Sequence, residues 1–132
     1  MNAVLISQRM NEIVFKSNLG NENKTIHLEI RYDFKVANNT DKMHSIANIK
    51  YYIEDSDKQS LFNLVVGYEG IVEHDLIETD DNVKEIHVLS YEMLFPYVQA
   101  IVSQTATNAG LPPLMIPKDR LSIDRVSIEQ NG

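Results

Sequence analysis

Between Thr25 and Val36 the chain alternates without a break. Ile26, Leu28, Ile30, Tyr32, Phe34 and Val36 take the even positions, and Thr25, His27, Glu29, Arg31, Asp33 and Lys35 the odd ones. Successive side chains of a strand point to opposite faces, so this spacing predicts a strand with one apolar and one solvated face. Such a run extends roughly 40 Å, about twice the usual strand length. It must therefore bend, or pair in part outside its own subunit.

Three further segments read as strands. Met10 to Lys16 alternates less cleanly, with Ile13 and Phe15 on one side. Ala47, Ile49, Tyr51 and Ile53 alternate with Asn48, Lys50, Tyr52 and Glu54 up to the turn Asp55-Ser56-Asp57-Lys58, which predicts a half-buried strand. Leu61 to Val72 is apolar on both faces and interrupted by Gly67 and Gly70. That pattern predicts an inner strand, with the glycines marking a bulge or a close backbone approach. The short link between the last two segments predicts an antiparallel hairpin.

After the acidic stretch Glu73 to Asp81, expected to be a solvated linker, the period changes. Val83, Ile86, Leu89, Leu94, Val98, Ile101 and Thr105 follow helical spacing, and Gly110 stands where a left-handed C′ residue belongs. Pro96 either opens a helix at its first position or lies within a longer one starting near Tyr91. Leu121, Ile123, Val126 and Ile128 suit a last strand or a short helix. Strands first and helix afterwards predict one α+β domain over residues 1–132: a four-stranded antiparallel sheet with a long helix in the C-terminal half packed on one face.

Composition narrows the function. The formal charge of −7 gives no basic surface for nucleic acid. There is no cysteine, which removes disulfides and thiolate metal sites. No apolar run reaches the roughly 18 residues of a membrane helix, and the N-terminus lacks the pattern of a signal peptide. The expectation is a cytoplasmic protein without direct membrane insertion.

Catalytic chemistry has little to stand on. The chain shows neither a glycine-rich phosphate loop nor a nucleophile elbow. His27, His44, His74 and His87 are scattered, without the helical i, i+4 spacing of a zinc site. His27 falls on the polar face of its strand, and His87 is expected at the helix surface. Glu73, Asp75, Glu78, Asp80 and Asp81 lack the alternate-position ligands and glycine of a calcium loop. No catalytic residue, metal or cofactor is expected. Glu92, His87 and Tyr91 are the one cluster a small oligomeric α+β enzyme would have to use.

An apolar surplus is more informative. Val36, Met43, Ile46, Tyr52, Leu111, Leu114, Met115 and Ile116 sit at element ends or after the helix, where a minimal fold does not need them. Flexible methionine and aromatic side chains suit a surface that accepts many sequences. Closing the core or an oligomer interface is the competing use, up to a structural subunit whose apolar surface is wholly consumed by assembly.

Leu94-Phe95-Pro96-Tyr97, the helical run behind it, and then Gly110-Leu111-Pro112-Pro113-Leu114-Met115-Ile116-Pro117 resemble the SecB family of ATP-independent chaperones. Leu61-Phe62 and Glu69-Gly70-Ile71 resemble that family's third and fourth strands. The resemblance implies a holding chaperone that forms homotetramers as dimers of dimers, works without a cofactor, and binds unfolded polypeptide in apolar grooves. The eight residues of the apolar surplus are the candidate client contacts. Clients would be preproteins for export, or the antitoxin of a toxin–antitoxin pair.

Departures from the family pattern bear on the motor SecA, which is a further partner of the family. The acid used there for docking is replaced by Val65. The loop Asn18 to Asn23 has no aromatic residue, Gln99-Ala100 replaces Arg-Glu, and the region after Lys118 is short. Holding is thus better supported than delivery to SecA.

Overall fold

The computed structural model of the chain describes residues 1–19, 26–57, 61–121 and 126. Four strands, β1 (Ala3–Ser17), β2 (Leu28–Asn38), β3 (His44–Asp55) and β4 (Phe62–His74), precede one helix, α1 (Asp80–Asn108). The sheet order is β1-β4-β3-β2, and every neighbouring pair is antiparallel. This is the α+β arrangement expected from the sequence.

The long alternating segment forms β2, an edge strand. It begins at Leu28 and runs on to Asn38 opposite Ser45, while Thr25 lies outside the described residues. Its even residues from Leu28 to Val36 face the helix and are half-buried, and its odd ones are exposed. The segment apolar on both faces forms β4, an inner strand between β1 and β3.

β1 is longer than the expected Met10 to Lys16, and two bulges explain why. The register passes from Leu5↔Val72 to Ser7↔Ile71, and from Met10↔Tyr68 to Glu12↔Gly67. Each extra residue flips which parity faces the helix, so no single alternation runs through the strand. The second bulge lies opposite Gly67. A β-carbon on Gly67 would stand 2.5 Å from Asn11 Oδ1.

The acidic stretch is not a linker throughout. Glu73 and His74 end β4, whereas Asp80 and Asp81 form the first turn of α1, where carboxylates complement the helix dipole. Thr79 caps the helix, its side chain accepting from the Asn82 N–H at 3.2 Å, so α1 starts before Val83. Pro96 lies inside this single helix on an exposed position, where water can satisfy the carbonyl that loses its partner. The helix ends in a Schellman motif. Leu111 N–H donates to Ala106 O at 2.9 Å and Gly110 N–H to Thr107 O at 3.0 Å, with Gly110 at φ 79°.

Tyr91, Leu94, Phe95, Val98 and Val102 of α1 form one buried core with Ala47, Ile49, Tyr51 and Ile53 of β3 and Phe62, Leu64, Val66 and Tyr68 of β4, and Ile86 and Ala106 of α1 are buried too. Of the tail, Leu121 and Val126 are described and belong to neither strand nor helix. Ile123 and Ile128 lie outside the described residues.

Candidate functional site

The segment after the Schellman turn has no regular secondary structure, yet it is held residue by residue. Gln99 of α1 donates from Nε2 to Leu114 O at 2.9 Å and accepts at Oε1 from Ile116 N–H at 2.8 Å. One side-chain amide thus pairs with the backbone of two residues two positions apart. Ile116 is buried in the main core. Farther along, Lys118 pairs with Glu92 and the Asp119 N–H donates to Tyr91 Oη at 2.9 Å. Tyr32 of β2 donates from its hydroxyl to Asp119 Oδ2 at 2.5 Å. Residues 111–121 therefore form a strap on the side of α1 nearest β2.

The strap ends on a set of tyrosines. The Tyr32 and Tyr51 rings stack with centroids 5.0 Å apart, and Tyr91 lies against Tyr32 at 5.6 Å. The Tyr51 and Tyr91 hydroxyls are 2.9 Å apart. Burial, then the bond to Tyr91, pushes the Tyr51 phenol far above its ordinary range; burial, then the bond to Asp119, does the same to Tyr32. Both keep their protons at neutral pH, so Tyr32 is a donor to the carboxylate.

The eight candidate contact residues do not form one surface. Val36, Leu111, Leu114, Met115 and Ile116 lie on the helix side, with Ile116 buried and Met115 69% exposed. Ile46 and Tyr52 point to the other face of the sheet, and Met43 lies in the β2–β3 turn. Tyr52 is covered there by Arg31, whose guanidinium carbon is 3.9 Å from the ring centroid. Ile46 borders an open depression of about 400 Å³ lined also by Ser7, Arg9, Glu69 and Ile71. Val65 is on this same face.

Of the two histidines expected at the surface, His27 is exposed and His87 is only partly so. His74 is buried, with Nε2 2.7 Å from Ser45 Oγ and Nδ1 2.7 Å from Asp75 O. His87 is half-buried rather than a free surface group: Phe34 packs edge-on against it at 4.7 Å, and burial lowers its pKa. His44 stands 2.6 Å from Asp41 Oδ2 and 3.4 Å from Glu73 Oε2. Glu92, His87 and Tyr91 do not converge. They engage Lys118, Phe34, and the Tyr51–Asp119 pair respectively. Among the described residues no cluster of three or more histidines or acids could hold a metal.

Sequence reasoning missed Gln99, Tyr32, Tyr91 and Asp119 as a working unit. The sequence marked Gln99 only as a departure from the family pattern.

Residues 10–119 match the family described as preprotein translocase subunit SecB. The chain belongs to the SecB family. It is also 30% identical, over 92% of its length and 76% of the relative's, to an uncharacterized protein of Methanocaldococcus jannaschii. Its fold is similar to that of a SecB-like chaperone of Mycobacterium tuberculosis solved in complex with a ChAD peptide from the HigA1 antitoxin. The TM-score is 0.68 at 14% identity, covering 89% of this chain and 88% of that one. A protein of unknown function from Streptococcus agalactiae is similar at a TM-score of 0.59 and 16% identity, over 89% and 98% of the two chains. Membership in the SecB family points to a holding chaperone and a non-enzymatic role. The SecB-like motif is split by the helix: Leu94 and Phe95 are buried, whereas Pro96 and Tyr97 are exposed. Tyr97 stacks on Tyr68 at 5.6 Å.

Proposed function

We propose that this SecB-family protein is an ATP-independent holding chaperone that binds unfolded polypeptide along the α1–β2 side of its sheet. The observation that carries the reading is the SecB match over residues 10–119 joined to the way Gln99 pairs with polypeptide backbone on that side. Reversible apolar contact suffices for holding, so no nucleotide enters. The general form is a cytoplasmic homotetramer of two dimers that keeps preproteins unfolded for export. Docking to SecA has less support, because apolar Val65 occupies the sheet face where the family uses an acid. No described helix is long and apolar enough to cross a membrane.

A dedicated client is the second reading. It is favoured by the similarity to the M. tuberculosis SecB-like chaperone, which was solved with a peptide from an antitoxin.

The test is suppression of aggregation of an unrelated, slowly refolding protein in the absence of nucleotide. Protection at stoichiometric ratios is expected for the general chaperone. Absence of protection by the well-folded protein overturns general holding and leaves the dedicated client.

A further inference from the structure

The strap is held in part through its backbone. Gln99 pairs with a carbonyl and an N–H two residues apart, its Nε2 also lying 3.4 Å from Met115 Sδ, and Tyr91 Oη accepts from a backbone N–H. Side chains are read as well: Leu111, Leu114 and Leu121 pack against the core, and Lys118 pairs with Glu92. Ile116 fills a place in the main core, and Asp119, three residues on, receives the Tyr32 hydroxyl. Between them Pro117 and Lys118 are exposed. Such an arrangement recognises a chain through its backbone and apolar side chains, with the buried anchor Ile116 followed three residues later by a hydrogen-bond acceptor. It is the selectivity a peptide site would show. Here the site is filled by the molecule's own chain, joined to α1 through the Gly110 turn.

We propose that residues 111–121 are a tethered stand-in for client: an extended polypeptide carrying an apolar residue and, three positions later, an acceptor side chain binds the same track once the strap has left it. The proposal rests on the holding-chaperone reading and adds its regulation, because strap and client compete. A tethered competitor lowers the apparent affinity of any client by the fraction of molecules in which the track is open. Clients that match the anchor and acceptor displace the strap; others do not. Apolar surface is then exposed only to a chain that can replace it.

The experiment uses the full chain and a fluorescent peptide with the sequence of residues 110–121. The chain has no cysteine, so E92C/K118C closed by a short bifunctional maleimide fixes the strap at the position of the Glu92–Lys118 ion pair. A second variant, I116D, releases the strap by charging its buried anchor. The expected result is that closing the tether weakens peptide binding at least tenfold relative to the same protein unclosed. I116D is expected to bind at least tenfold more tightly than the wild type. Equal affinity for closed and unclosed protein overturns the proposal, and this comparison decides alone if I116D does not fold.

Aggregation suppression by the closed and unclosed forms separates this proposal from the reading beneath it. Equal protection by both overturns the strap as competitor while holding stands. No protection by either overturns holding, while tether-dependent peptide binding still supports the track.

Discussion

Leu94 occupies the space that a side chain on Gly70 would need. A β-carbon built on that glycine would lie 2.9 Å from Leu94 Cδ2 and 2.7 Å from Leu5 Cδ1, so α1, β4 and the edge strand β1 meet over one residue without a side chain. Gly70→Ala forces all three apart and is expected to destabilise the subunit by about 1–3 kcal/mol, the usual cost of overpacking. A lowered urea midpoint at unchanged slope is the check; an unchanged midpoint would mean the contact yields freely.

Gly110→Ala is a milder change of another kind. Nothing lies within 4 Å of the added β-carbon, but φ is +79°, a conformation costing an alanine about 1–2 kcal/mol. The loss should appear in chemical denaturation without any change in the packing of aromatic side chains measured by near-ultraviolet circular dichroism.

Ser90→Ala should act in the opposite direction. The Ser90 hydroxyl is buried and has no hydrogen-bond partner among the described residues. Removing it relieves the desolvation of an unpaired polar group and improves helix propensity. A gain of about 1 kcal/mol in unfolding free energy is expected, and a loss would show that the hydroxyl is paired.

Two histidines pull the pH dependence in opposite senses. His44, bonded to Asp41 and close to Glu73, has its pKa raised above the ordinary value of about 6.5. Its contribution is fully present below pH about 6.5 and is lost as pH rises through the higher folded value. His87 has its pKa lowered by burial. Below pH about 6.5 the unfolded chain takes up that proton more readily, so stability falls until pH passes the lowered folded value. In nuclear magnetic resonance titrations D41N should bring His44 back towards its ordinary pKa. H87Q should lose less stability than the wild type between pH 7 and pH 5.

What could be read beforehand follows from how local each signal is. The even-odd alternation that became β2 and the helical spacing from Ile86 to Val102 are set within a few residues, so they survive in the sequence. β1 was only half legible, because the bulges near Ile6 and Asn11 twice exchange the face on which apolar residues fall. The start of α1 was hidden for a related reason: Asp80 and Asp81 look like linker acids until Thr79 is seen to cap the turn. The client contacts suffered most. Ile46 and Tyr52 are as apolar in sequence as Leu114 and Ile116, but which face they share depends on pairing across the sheet. Likewise Tyr32, Tyr91 and Asp119 meet from three distant parts of the chain, and no spacing rule connects them.

Holding of extended, unfolded polypeptide without nucleotide is the activity proposed for this SecB-family protein. Its most direct test is fluorescence anisotropy of a permanently unfolded, labelled polypeptide titrated with the protein, beside a native-folded sample of the same polypeptide. Saturable binding of the unfolded chain alone, unchanged by added nucleotide, is the predicted result. Equal binding of both samples, or of neither, by the well-folded protein would contradict it.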